Sequence, residues 1–557
     1  MSQNKNSDQI LSALLFTDGL VSVLLALFAH ALGFDPNQNL GASRILLFFF
    51  GLLLVGSSIF IFQRKPSFIK SETLQNMALF SHLWVAIFII YAFFITFGNF
   101  TTWKASTRYY ALLADAFGKG QLHVDVDPGQ DLLTATDPYD SVGGRTFNDD
   151  VWDLSLYNGK LYLYWGPVPA LMLTPFQLIT DTKTADLFLV YFFLCGLLIF
   201  NTLILLKLRQ LFFSTLQTRY VILSIFLIGL ILPIPWALNI PDVYEAAIGA
   251  GQFFLMGGVY FSIRALEEKI RNRFLFFAGL FWACSVGSRA INAFPIIFMA
   301  ALTAFWIWKN QPRPIHWKRA ILAASTLLTP LVLGAILISW YNWARFDSPL
   351  EFGLRYQITI YNLNRDMHLT FQPAYFPLNF YAYLFQPFEG ISKFPFIKPI
   401  TIHSLMETLN IKPPNLFAGG RVTGIIFSMP ILVLAFIPFF QKGNDGEIAE
   451  NNSDLIKFIL YLLGGSFLLG FASILFYFYE QTRFLIDIIS QITLLSIIGY
   501  WMVASRSNKT LLRIANGLIL FTLAASLLLS FTGEANRMAK LNPAMMEKIN
   551  SFFIIEK

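Results

Sequence analysis

The stretch Leu187–Leu206, LFLVYFFLCGLLIFNTLILL, runs for twenty residues without one charged side chain, and Lys207 and Arg209 follow at once. At 1.5 Å per residue a helix of that length spans about 30 Å, the thickness of a bilayer's hydrocarbon core. Backbone polar groups in lipid must be satisfied within the segment, so a run of this kind is a helix. Twelve further runs of near-membrane length surround it: Leu11–Leu32, Ile45–Phe62, Met77–Phe97, Val221–Leu238, Ala246–Ile263, Phe274–Gly287, Ile291–Trp308, Ile321–Trp340, Val422–Phe440, Phe458–Phe478, Phe484–Val503 and Ile514–Ser530. The expectation is an all-α polytopic membrane protein of about thirteen spans.

Composition agrees with that class. Charged residues make up 13% of the 557-residue chain, against about 25% in soluble domains, and 59 phenylalanines exceed what a water-soluble core hides. The net charge of +7 falls in short clusters between apolar runs rather than along one stripe, which argues against nucleic acid as a partner. Those clusters recur in every second loop, for example Lys207, Arg209 and Arg219; Arg264, Arg271 and Arg273; and Arg506, Lys509 and Arg513. The positive-inside rule makes these loops cytoplasmic, with the N-terminus inside and, for an odd span count, the C-terminus outside. Ala29-His30-Ala31 imitates a cleavage site, but the apolar run before it is longer than a signal-peptide core and reads as a retained helix.

The expected division follows. Residues 1–97 carry three spans, 98–183 a first large extracytoplasmic loop, 184–340 six spans, 341–421 a second large extracytoplasmic loop, 422–530 four spans and 531–557 a tail. No GxxxxGK[ST] phosphate loop, GxSxG elbow or histidine ligand spacing is present, and both cysteines, Cys195 and Cys284, lie inside apolar runs. Nucleotide-driven pumping, covalent hydrolase chemistry and disulfide frameworks therefore have no support.

Chemistry is expected in the two long loops. Between Gly98 and Thr182 stand ten acids and five bases. Tyr109, Leu112, Leu113 and Phe117 have the spacing of a short interfacial helix. Asp125-Val126-Asp127, if extended, would put two carboxylates on one face, the arrangement that holds Mg or Mn or divides acid and base roles. Asp153 sits in an aromatic stretch that runs to Gly166-Pro167, read as a chain re-entering an interfacial aromatic belt. Arg289 follows a run of only fourteen residues and so is expected inside the outer leaflet, where an ionisable group marks a functional site. Arg345, Arg355 and Arg483 lie near outer helix ends, and Lys160 in the first loop; a guanidinium fork suits the phosphate of a lipid carrier. The competing structural reading pairs Arg289 with Asp487 or Glu245, and Arg345 with Asp347. Asp242 and Glu480 complete the acids expected on that side.

The plan resembles the GT-C superfamily of membrane glycosyltransferases, which take sugar from a polyprenyl-phosphate carrier at the extracytoplasmic face. The residues that carry the resemblance are RYYALLAD, Arg108–Asp115, leading to YLYWGP, Tyr162–Pro167. A bacterial GT-C-like group is also similar in WDLSLYNGKLYLYWGP (Trp152–Pro167), VGSR (Val286–Arg289) and YNWARFDSPLEFGLRYQ (Tyr341–Gln357). The resemblance implies an inner-membrane enzyme with a lipid-linked donor and a glycan, lipid or protein acceptor. Its catalytic base commonly stands just before the Tyr-rich helix, where Lys104-Ala105-Ser106-Thr107 contain no acid. The expected base is Asp153, then Asp125 and Asp127, with the arginines on the phosphate. A lipid or sugar transporter and a non-catalytic assembly protein derived from such an enzyme are the alternative classes.

Overall fold

A computed structural model describes residues 3–37, 40–63, 72–100, 103–104, 107–140, 151–267, 270–310, 317–440, 453–506 and 508–553. The chain opens with α1 (Gln3–Phe28), α2 (Ala42–Gln63) and α3 (Glu72–Ile95). The first long segment holds α4 (Tyr109–Gly118), a single turn α5 (Gln130–Leu133), strands β1 (Ser155–Tyr157) and β2 (Lys160–Tyr162), and α6 (Val168–Thr180). Then come α7 (Asp186–Phe212), α8 (Thr218–Leu230), α9 (Ile234–Asn239), α10 (Val243–Leu266), α11 (Asn272–Ser288), α12 (Ala293–Lys309) and α13 (Trp317–Phe346). The second long segment contains α14 (Leu363–Asp366), α15 (Phe376–Phe385), β3 (Phe388–Gly390), β4 (Ile397–Thr401), α16 (Ile402–Thr408), β5 (Ala418–Gly419) and β6 (Arg421–Val422). The chain closes with α17 (Ile425–Ser428), α18 (Ile437–Phe440), α19 (Ser453–Leu475), β7 (Tyr479–Glu480), α20 (Ile486–Ala504), α21 (Lys509–Thr532), α22 (Arg537–Leu541) and α23 (Pro543–Ser551).

Among the described residues, eight helices are long and apolar enough to cross a membrane. They use their apolar surface differently. α20 is buried along its whole length, packed by α7, α8, α10, α19 and α21. On α13, Ile321, Leu322, Val332, Leu333, Ile336, Leu337 and Trp340 are all exposed, a continuous apolar face that suits lipid rather than water. Two expected spans are broken where proline removes a backbone donor. The run Val221–Leu238 divides into α8 and α9 around Pro233 and Pro235, and Val422–Phe440 divides into α17, a 3-10 stretch Pro430–Phe436 and α18.

The fold is not wholly helical. β1 and β2 form an antiparallel hairpin through Asn158 (φ +48°) and Gly159 (φ +73°), a turn whose positive φ angles match the twist of paired strands. This hairpin stands where the sequence reading placed an aromatic belt. β3, β4 and β6 make a second small sheet, and β5 pairs in parallel with β7. α4 forms where expected; of the four apolar residues read from the spacing Leu113 is buried, together with Tyr110, Ala111, Ala114 and Ala116, and Tyr109, Leu112 and Phe117 are half-buried, because the helix packs on α6.

The two long segments are stitched together. Asp153 N–H donates to Ile358 O (2.9 Å), Ile358 N–H donates to Leu154 O (2.8 Å), and Ser155 and Gln357 form an antiparallel bridge. Ser155 Oγ donates to Gly353 O (2.8 Å), and Asn362 Nδ2 to Asp137 Oδ2 (2.8 Å). Gly353 has φ +94°, and a Cβ there would lie 2.6 Å from the Phe346 ring and 3.0 Å from Ser155 Oγ. Only glycine lets the segments close in this way.

Candidate active site

Asp153 lies at the root of the hairpin with φ +61°, a left-handed conformation that Asp and Asn tolerate better than other side-chain-bearing residues. The residue is 5% exposed. Gln357 Nε2 donates to Oδ1 (2.6 Å), and the Tyr244 hydroxyl donates to Oδ2. Burial pushes the carboxyl up to about 6, against the Arg483 charge and the Gln357 hydrogen bond, which pull it down.

Tyr244 is in the first turn of α10, where Glu245 Oε2 accepts from the Asp242 backbone N–H (3.3 Å), fixing the start of the helix. The Tyr244 ring is held between two groups: the Arg483 guanidinium at 4.1 Å from its centroid and Trp165 edge-on at 5.3 Å. Arg483 makes one ion pair, Nη1 to Glu245 Oε1 at 3.5 Å, and no hydrogen bond among the described residues; its Nε is buried without a partner. A buried guanidinium with a donor left unpaired has the chemistry to receive an oxyanion.

The Phe484 ring joins the two arginines, lying 5.5 Å from the Arg483 guanidinium and 5.6 Å from that of Arg289. Arg289 caps the end of α11 and grips Asp487, with Nε 2.9 Å from each carboxylate oxygen and Nη2 2.7 Å from Oδ2. That is the structural pairing with Asp487 weighed above, and it leaves Nη1 without a protein partner among the described residues. The first long segment reaches this place because Gly166 lies on α11: a Cβ on Gly166 would be 2.2 Å from Gly287 O. Tyr164, just before it, is within electrostatic reach of Asp153, Arg483 and Arg289 together. Asp153 and Arg483 are within electrostatic reach of each other, and Phe484 and Tyr164 connect them to Arg289.

Other expected site residues are elsewhere. Arg345 is buried as a strut: Nη1 donates to Leu163 O (2.6 Å), Nη2 to Asn342 Oδ1 (2.9 Å) and Nε to Tyr341 O (3.3 Å). Nη1 ties α13 to the chain leaving the hairpin while the other two donors stay within α13, and Asp347 accepts instead from the Tyr157 hydroxyl (3.0 Å). Arg355 is exposed, 3.9 Å from Glu351, and Lys160 is exposed at the hairpin turn. Asp125 and Asp127 are exposed on irregular chain; Asp125 is paired with Lys119 (2.9 Å), and Asp127 Oδ1 accepts from Gly129 N–H (2.9 Å). Neither pair of contacts fits a divalent-metal cradle, and no group of three His, Cys, Asp or Glu able to hold a metal forms among the described residues. Asp149 and Asp150, counted among the loop acids, lie outside the described residues.

Three contributors escaped the sequence reading. Tyr244 had a readable neighbour in the Asp242…Glu245 spacing of a capping box, and Gln357 ends the quoted Tyr341–Gln357 stretch; neither is an ionised group, so neither drew attention. The third is Asp186, on α7, whose carboxylate accepts from the backbone N–H groups of Tyr109 (2.9 Å) and Tyr110 (3.0 Å) at the start of α4. Fully buried and bonded to backbone, it serves as a helix cap.

A separate pair of acids lies nearby. Glu480 is fully buried with neither carboxylate oxygen partnered among the described residues, and burial followed by the Glu534 charge holds its carboxyl well above the ordinary range. Glu534 accepts from Gln481 Nε2 (2.8 Å) and is itself raised by burial.

No protein-family model matches the sequence, and no curated protein matches it. Among solved structures the chain is similar to the oligosaccharyltransferase of Archaeoglobus fulgidus. In its apo form the identity is 12% over 86% of this chain and 57% of that one, with a TM-score of 0.43. The form tethered through a disulfide to an acceptor peptide containing the NVT sequon gives 13% over 86% and 59%, with a TM-score of 0.40. This chain therefore spans somewhat over half the length of those it matches.

Proposed function

We propose that this chain is a membrane glycosyltransferase that moves a sugar from a polyprenyl-phosphate donor to a hydroxyl of an extracytoplasmic acceptor, in a bacterial inner membrane. One observation carries the reading: a buried carboxylate raised toward neutrality, Asp153, shares its surroundings with Arg483, a buried guanidinium that pairs with Glu245 through Nη1 and keeps an unpartnered Nε. A base poised near the working pH is what general-base transfer needs, and a cation fixed in place stabilises a leaving anion without reorganising.

The step balances as an inverting displacement. The acceptor oxygen forms a bond to the sugar C1 while its proton passes to Asp153. The bond from C1 to the phosphate oxygen breaks, and its electron pair leaves with the polyprenyl phosphate, which Arg483 and the free Nη1 of Arg289 receive. In this reading residues 98–183 supply the base, the start of α20 and the end of α11 supply the cations, and residues 341–421 complete the pocket wall.

The deciding assay uses purified protein in proteoliposomes with polyprenyl-phosphate sugars and candidate acceptors, with and without Mg or Mn. Transfer to an acceptor is the expected result. Flipping of the donor without transfer would make the chain a transporter, and neither activity across the donor set would leave it a non-catalytic assembly protein; both overturn the proposal.

A further inference from the structure

Both oxygens of Asp153 are engaged, and by groups of different kinds. Oδ1 takes an amide donor from Gln357, which is 6% exposed and pinned by the backbone exchange between Asp153, Leu154 and Ile358. Oδ2 takes a hydroxyl, that of Tyr244, the same chemical group that an acceptor would bring. The Tyr244 ring lies against Arg483, so a hydroxyl bound at Oδ2 is beside the cation assigned to the leaving phosphate.

Resting on the reading of Asp153 as base, we infer that Gln357 is a positioning residue: from the second long segment it clamps Oδ1, so that Oδ2, where the Tyr244 hydroxyl now sits, is the oxygen presented to the acceptor. The carboxylate stands on a left-handed residue of a short loop, and a single torsion would otherwise exchange its two oxygens. An amide donor held by an antiparallel bridge removes that freedom, and holding a base in one orientation is worth rate even without contact to substrate. The other groups that face Asp153 are Arg483 before α20, Asp242 at the start of α10, Tyr164 beyond β2 and Tyr479 of β7. Of all these, Gln357 alone is a neutral amide donor bonded to the carboxylate.

The test is Gln357→Met in the full-length protein, a change close in size that removes the donor. Two quantities are followed against pH: the transfer rate, and the labelling of Asp153 by dicyclohexylcarbodiimide, which reacts with protonated carboxyls and is read by peptide mass spectrometry. Loss of a hydrogen bond to the charged form should raise both midpoints together by about one pH unit. At pH 7 kcat should fall while the donor KM stays within about twofold, since no substrate contact is lost. Gln357→Asn, which withdraws the amide by one methylene, should move both midpoints in the same direction by less, and stands in if the methionine variant does not fold. An unchanged labelling midpoint overturns the inference. The two readings separate cleanly: an unmoved midpoint with an inactive Asp153→Asn enzyme sinks the clamp alone, whereas a moved midpoint with a fully active Asp153→Asn enzyme sinks the base.

Discussion

Asp125 and Asp127 belong to the same acidic segment as Asp153, and by sequence the pair looked equally able to do chemistry, yet the structure separates them completely. Asp125 is in solvent with a lysine beside it, and the Lys119 hydrogen bond and charge hold its carboxyl below the ordinary range. Asp153 is buried and pushed the other way, to about 6. Desolvation acts against the charged form and a nearby cation in favour of it, so one residue type is held more acidic in one place and raised toward neutrality in the other.

Substitutions at the two places should differ most in rate. Asp153→Asn, which the left-handed backbone accepts, should lower transfer by about 100- to 10,000-fold with normal expression, measured as kcat/KM with saturating donor. A variant within twofold of wild type would end the contrast. Arg483→Met should cost about 100-fold in kcat, the usual scale for removing a fixed charge that stabilises a developing oxyanion, with the rate unchanged if the guanidinium serves only Glu245.

The pH dependence follows from the same shift. Asp153 must be ionised to accept a proton, so kcat/KM should fall as pH drops through about 6. Stability runs the other way. A carboxyl raised from 3.8 to about 6 binds its proton more tightly in the folded than in the unfolded chain, so it destabilises the fold above pH 6 and stops doing so as pH falls to about 4. The full penalty is about 2 to 3 kcal/mol at neutral pH. Asp153→Asn should therefore raise the thermal midpoint in detergent at pH 8 and gain progressively less between pH 6 and 4. A gain independent of pH would show that the carboxyl is not the cause. The smallest effect belongs to the exposed pair: Asp125→Asn and Asp127→Asn together should leave the transfer rate within twofold, and a large loss, or loss of a metal dependence, would restore that motif to the mechanism.

The arginines give a similar lesson. Arg289, Arg345 and Arg483 all sit at helix ends where a cation is unexpected, and a one-dimensional reading ranks them alike. Which of them can receive a phosphate depends on what their donors already touch. Arg345 has three donors on protein oxygens, Arg289 has two donor groups on Asp487, and Arg483 has an orphaned Nε. The hairpin, by contrast, was legible and overlooked. Asn158-Gly159 stands between the alternating stretches Leu154-Ser155-Leu156-Tyr157 and Lys160-Leu161-Tyr162-Leu163, the strongest short-range hairpin signal, but the surrounding aromatics equally suit a membrane interface.

From the chain alone came the helical membrane class and the choice of Asp153 and Arg289 as residues to watch. These depend on run length against bilayer thickness and on charge placed in apolar surroundings, both of which are local properties of the chain. The tertiary structure alone decided that Gln357, 204 residues away, would reach Asp153, that Tyr244 would cover its other oxygen, and that Asp186 would cap α4. Those outcomes are set by desolvation and hydrogen-bond geometry between distant segments, and neither exists until the segments have packed.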